Sequence, residues 1–192
     1  GQCFTIHWGG SIITPYLVEA IERLHIGGIR VTPFGQNSRR GKHYHQSLSY
    51  DYTFPKGYRK IKENLFIPGS AFFVSPQQYA GQLNRLQKIA CARPNGVPLH
   101  VSIDQEGDIS RDFSFAGINL FPSAMGLTAT GDPKIAYESC KAVVLQLSAM
   151  GVTNIHSPVL DVNMNPNNPE INIRAYGDDP KVVAEYATAS IK

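Results

Sequence analysis

Four times in this chain a residue with a side-chain oxygen is followed by proline and then by an amphipathic stretch: Thr14-Pro15, Ser75-Pro76, Asp132-Pro133 and Asp179-Pro180. In each pair the first side chain can accept an orphan backbone N–H and the proline pre-sets a helical φ, so each pair marks a helix start. Ser75 also has Gln78 three places on, which makes a capping box. Apolar stripes follow: Leu17, Ile21 and Leu24 in the first helix; Tyr79, Leu83, Leu86 and Ala90 in the second; Val143, Val144 and Leu147 in the third, which Gly151 ends. Between the helices lie short β-rich runs, Phe4 to Trp8, Gly28 to Thr32, Leu99 to Ile103, and Thr153 to Val162 interrupted by Pro158. They do not alternate cleanly between apolar and polar residues, which predicts strands covered on both faces. Strand and helix alternating in this way predict an α/β fold with a parallel sheet and right-handed crossovers.

Four such units are the first half of a (β/α)8 TIM-type barrel, whose usual length is about 250 residues. The chain has 192 residues and stops at Ile191-Lys192 inside an amphipathic pattern. The expectation is therefore that residues 1–192 form the N-terminal part of one barrel domain, without a second domain, and that the remainder of its own barrel is a partner. Residues 33–74 read as an insertion after the second strand, since loops in α/β units are usually about 2–6 residues long. A segment that follows a strand emerges on the C-terminal face, where barrel enzymes place their sites. Its Tyr44, Tyr50, Tyr52 and Tyr58, with Arg39, Arg40 and Lys42, either wall a substrate cleft or merely cover the barrel rim.

Eighteen Lys+Arg against fifteen Asp+Glu give a net charge of +3, too little for the phosphate neutralisation on which nucleic-acid binding depends. No run approaches the roughly 20 apolar residues of a membrane span, and Gly1 leads into a strand-like run without the charged and apolar regions of a secretory leader. Cys3, Cys91 and Cys140 are odd in number and sit among apolar neighbours, as buried thiols do. A phosphate loop, a Gly-x-Ser-x-Gly elbow, a Cys-x-x-Cys pair and a His-Glu-x-x-His helix are all missing. His43 and His45 are too few for a metal site; no metal and no cofactor are expected.

Three polar clusters stand at strand ends. Asp104-Gln105-Glu106-Gly107 follows an apolar strand, with two carboxylates spaced to share one side of an extended segment. Either one of them serves as acid or acceptor, or the cluster caps the next turn and pairs with a nearby arginine. In the second cluster, His156 to Asn163, Asp161 and Asn163 read as loop-building hydrogen-bond partners and His156 as a satisfied core histidine. In the third, Asn172 to Pro180, Arg174 offers a rigid fork of donors suited to vicinal hydroxyls or a carboxylate; otherwise it bridges to Asp178 or Asp104.

In this order and with these gaps, LHVSIDQEG (99–107), FPSAM (121–125) before Thr130-Gly131-Asp132, PVLDVN (158–163) and NPEINIRAYGDDP (168–180) resemble the family-three glycoside hydrolases, especially the β-N-acetylglucosaminidase branch. The resemblance covers nearly everything except residues 37–65. It implies that Asp104 hydrogen-bonds hydroxyls of the sugar at the non-reducing end, that Arg174 contacts the same sugar, and that Glu106 shapes the loop, with Asp161 in support. A further sugar-binding arginine would be Arg111, which arrives about one place early because Asp108 stands where the family has a second glycine. The family works by a retaining mechanism with two carboxylates about 5–5.5 Å apart. Both of those residues are expected beyond Lys192, so no catalytic residue is assigned in this chain. The resemblance thus implies an exo-acting β-glycosidase of oligosaccharides or glycosides, a β-N-acetylhexosaminidase first. A β-glucosidase or β-xylosidase, or a catalytically silent carbohydrate-binding half-barrel, is the alternative.

Overall fold

Strands β1 (Thr5–Gly9), β2 (Gly28–Thr32), β3 (His100–Ile103) and β4 (Asn154–Ile155) pair in parallel in the order β1-β2-β3-β4. They belong to a computed structural model that describes residues 1–9, 13–32, 76–107, 119 and 121–192. Helices α1 (Pro15–Glu22) and α2 (Pro76–Cys91) connect the first three strands; α3 (Ala124–Thr128) and α4 (Pro133–Ala149) lead to β4. After β4 come an irregular segment, a 3-10 turn at Asn172–Arg174 and α5 (Pro180–Ile191). Sequence neighbours that are also sheet neighbours, joined by helical crossovers, make the first four units of a (β/α)8 barrel.

Three of the four helix starts are capped as expected: Thr14 accepts from the Leu17 N–H, Asp132 from Lys134 and Asp179 from Lys181, each before a proline. Ser75 and the insertion 33–74, with its tyrosines, cations and two histidines, lie outside the described residues. Gly151, at φ +97°, stops α4 where the sequence placed the stop. The pattern missed α3, whose Ser123 cap accepts from the Gly126 N–H at 3.1 Å without a proline to advertise it. It also overextended the fourth strand, of which only Asn154 and Ile155 pair with β3.

Cover on both faces holds in β3, where Val101, Ser102 and Ile103 are all buried, while the residues alternate between an apolar and a polar face. Ile29, Val31, Val101 and Ile103 are fully buried, and with Trp8 they meet Leu17 and Ile21 of α1, Tyr79, Leu83 and Leu86 of α2, and Leu147 of α4 in one core. Trp8 stacks on Tyr79 with ring centroids 5.4 Å apart, fixing α2 against β1. The residues between them face the other way. In register across the sheet stand His7, Arg30, Ser102 and Asn154, a polar row. Short strands with one polar substitution per turn of the pleat disguised that period.

Two apolar residues counted for helix stripes, Leu24 and Val144, are exposed, because α1 ends at Glu22 and because Val144 lies at the edge of its stripe. The cysteines are not buried thiols either: Cys3 and Cys91 are exposed and Cys140 is half-buried. A second, smaller core joins Leu127 of α3, Ala136 of α4, Tyr176, and Val183 and Tyr186 of α5.

One buried cation holds helix ends together. Arg93, 6% exposed, donates from Nε to the Ala90 carbonyl at 2.8 Å and from Nη1 to the Ile26 carbonyl at 2.8 Å, and its other nitrogen reaches Val97 O at 2.5 Å. These carbonyls lie in the last turn of α2 and just beyond α1 and α2, where a positive charge is also favoured by the helix dipoles. Arg93→Met keeps the volume but strands the Ile26 and Val97 carbonyls, and should cost about 2–3 kcal/mol. Urea unfolding should show a lower midpoint at an unchanged slope.

Candidate functional site

The polar row continues past the strand ends into two ion-paired carboxylates. Asp104 follows β3 by one residue, and the His156 N–H donates to the Ile103 carbonyl at 2.8 Å, so Asp104 and His156 extend the β3–β4 register outward. Arg30 reaches Asp104 from β2: its Nε donates to Oδ1 at 3.3 Å and its Nη2 donates to Oδ2. The His156 Nδ1 lies 2.9 Å from Oδ1. Three adjacent strands therefore converge on one carboxylate. Burial alone would push the Asp104 carboxyl up, but the hydrogen bonds from Arg30 and His156 outweigh it and hold the group below the ordinary carboxylate range.

Glu106 faces a second arginine. Arg174 donates from Nε to Oε2 at 2.6 Å and from Nη2 to Oε1 at 2.9 Å, a bidentate pair. Its Nη1 turns to the Glu170 carbonyl at 3.0 Å. The Glu106 contact first, and the charges of Glu106, Glu170 and Asp161 after it, raise the guanidinium pKa further, so Arg174 stays protonated. The anticipated bridges from Arg174 to Asp178 or Asp104 give way to this pair, because the 3-10 turn at Asn172–Arg174 aims the side chain at the Gln105–Gly107 turn. Gly107 makes that turn possible. Its φ is +118°, and a Cβ there would come within 2.5 Å of the Pro122 carbonyl oxygen.

The other sequence candidates are placed as follows. Asp161 is exposed and acts on Arg174 only through its charge. Asn163 ties its backbone N–H to the Gly177 carbonyl at 2.9 Å, but its buried Oδ1 has no partner among the described residues, so the side chain does not build the loop. His156 is not a core histidine; it stands open to solvent against Asp104. Arg111 and Asp108 lie outside the described residues. Sequence reasoning missed Arg30 and His7. Both were visible as polar residues inside apolar strands, at positions that the register puts beside each other.

His7 shares the charge balance of the site: loss of hydration and the nearby Arg30 lower its pKa, against an opposing pull from Asp104. Behind the carboxylates, a cavity of about 310 Å3 opens between the Gln105–Gly107 turn, α4, β4 and α5, with Val143, Leu147 and Ile155 in its walls. Burial raises both the Cys140 thiol and the Tyr176 phenol on that side, leaving them neutral. Among the described residues no cluster of three or more His, Cys, Asp or Glu side chains could hold a metal, and no helix is long and apolar enough to cross a membrane.

A parallel β/α array with carboxylate–arginine pairs past the C-terminal ends of its strands has its polar groups where barrel enzymes place their sites. Comparison with known sequences specifies the class: residues 64–192 match the N-terminal domain of glycosyl hydrolase family 3, and the chain belongs to that family. It is 30% identical over 148 residues to beta-hexosaminidase A of Pseudoalteromonas piscicida, covering 73% of this chain and 25% of that protein. It is also 30% identical over 122 residues to the periplasmic beta-glucosidase/beta-xylosidase of Dickeya chrysanthemi, covering 59% of this chain and 18% of that one. In three dimensions it resembles a family 3 beta-N-acetylglucosaminidase of Paenibacillus sp. str. FPU-7, with a TM-score of 0.74, 27% identity, and coverage of 100% of this chain and 29% of that structure. The chain thus spans about a quarter of the length of relatives named for hexosaminidase activity.

Proposed function

We propose that this chain is the sugar-binding half of an exo-acting, retaining β-N-acetylhexosaminidase. The observation that carries the reading is that Asp104 and Glu106, both just past the C-terminal end of β3, are each held by an arginine. Asp104, ionised and partly exposed, accepts hydrogen bonds from hydroxyls of the terminal sugar; Arg174 donates to the same sugar and is oriented for it by Glu106. Arg111 adds a third contact, and Asp161 supports Arg174 electrostatically. Asp104 and Glu106 are each tied to an arginine, Arg30 and Arg174, an arrangement that supports a binding role for both. The nucleophile and the acid/base come from the remainder of the barrel. Names among the relatives favour hexosaminidase over glucosidase.

The test is a pair of chromogenic substrates presented to the intact protein. Faster turnover of the β-N-acetylglucosaminide than of the β-glucoside is expected. The reverse order would move the assignment to β-glucosidase or β-xylosidase, and binding of both sugars without turnover would leave a carbohydrate-binding module.

A further inference from the structure

We propose that Arg30 is a positioning residue for sugar binding, acting through Asp104, whose carboxylate it grips by both oxygens from the neighbouring strand. The inference rests on the assignment of Asp104 as a sugar contact and adds a residue that the sequence motifs do not contain.

The argument begins with the cost of placing an arginine there. Arg30 lies between Ile29 and Val31, both fully buried, in the middle of a strand. A charged residue at such a position is retained only if its head group is satisfied, and the head group reaches Asp104. Its contribution to fold stability is small, because both side chains are 31% exposed and a half-solvated pair gains little. What the pair does achieve is geometric. A carboxylate held by a two-pronged guanidinium cannot rotate about its terminal torsion, and the His156 ring fixes Oδ1 from the opposite strand. Among the described residues, the charged or titratable groups that face Asp104 include Arg30 on β2, His156 beyond β4 and His7 on β1, and the Arg30 guanidinium is a permanent cation. A fixed, ionised acceptor binds sugar hydroxyls without first paying to be ordered.

The experiment uses the intact protein with 13C-labelled aspartate, and two readouts. In Arg30→Met the Asp104 carboxyl should titrate at higher pH than in the wild type, since burial is then opposed by less. KM for the β-N-acetylglucosaminide should rise about tenfold while kcat changes less than about twofold, as expected of a misplaced contact. Arg30→Lys should restore most of the titration shift but little of KM, because an ammonium keeps the charge without the fork. An Asp104 midpoint unmoved in a folded Arg30→Met protein overturns the clamp, and so does a raised midpoint with unchanged KM in an active protein. If Arg30→Met does not fold, Arg30→Lys decides alone: wild-type KM would refute the fork. If the wild type turns over no glycoside, the proposed activity fails while the titration still accepts or rejects the clamp.

Discussion

Asp104→Asn in the intact protein should lower kcat/KM for a β-N-acetylglucosaminide about a hundred- to a thousandfold, with no covalent glycosyl-enzyme accumulating. The magnitude follows from the hydrogen bonds lost. Bonds from sugar hydroxyls to a charged acceptor are worth about 1.5–3 kcal/mol each, so two of them weigh about 3–4 kcal/mol net, and each 1.36 kcal/mol is a factor of ten. The amide is a poor substitute for a second reason. Arg30 and His156 both approach this group as hydrogen-bond partners of its oxygens, and an asparagine presents only one oxygen and turns an N–H₂ toward a cation. Steady-state kinetics with intact-mass detection after mixing would check it. A trapped adduct would make Asp104 the acid/base, since the nucleophile must still be present to form it, and recovery of rate with azide would mark Asp104 as one of the two catalytic carboxylates; either result sinks the binding assignment. The pH dependence follows from the same ion pair. The folded Asp104 pKa is depressed, so its contribution to stability is complete above about pH 4 and is lost as pH falls through the lowered value. His7 has the opposite charge and the same sign of effect. Its folded pKa is also lowered, so the neutral ring suits the fold above about pH 6.5 and stability declines as pH drops below that.

The helix starts were legible because a cap residue before proline is a local signal, and local geometry decides it: Thr14, Asp132 and Asp179 cap their helices as their side chains allow. The Ser123 cap escaped notice because the helix it opens is five residues long and has no proline. Asp104, Glu106 and Arg174 could be chosen from the sequence, but their pairing could not. Glu106 and Arg174 are 68 positions apart, and it takes the 3-10 turn at Asn172–Arg174 to bring the guanidinium back to the β3 turn. Arg30 went unread for a related reason. An arginine in an apolar strand becomes meaningful only once the register sets it opposite Ser102, two residues from Asp104. Period-two alternation in β2 and β3 was present, yet strands of four and five residues are too short for the period to stand out by itself.

The Glu106–Arg174 pair should prove the strongest polar coupling in the described part of the chain. Both side chains are mostly withdrawn from water, at 10% and 23% exposure, and they meet through two parallel hydrogen bonds. Removing one partner leaves the other, mostly buried, charge without its bidentate partner. Glu106→Ala and Arg174→Met are each expected to destabilise by about 3–5 kcal/mol. Glu170 cannot stand in for Glu106, since it is 84% exposed and 3.4 Å from Nη1. The double variant removes both charges together, so it should cost about 2–3 kcal/mol less than the sum of the singles. Denaturant unfolding of the four proteins gives that coupling energy directly. Additivity within about 0.5 kcal/mol would mean that the pair contributes no more than a surface salt bridge, and Glu106 would then lose its role in orienting Arg174. A large coupling has a consequence for the site as well. With Glu106 gone, Arg174 loses the partner of its Nε and Nη2, so Glu106→Ala should weaken sugar binding through the proposed contact of Arg174. Since the pair orders a donor before the ligand arrives, the loss should appear in KM ahead of kcat.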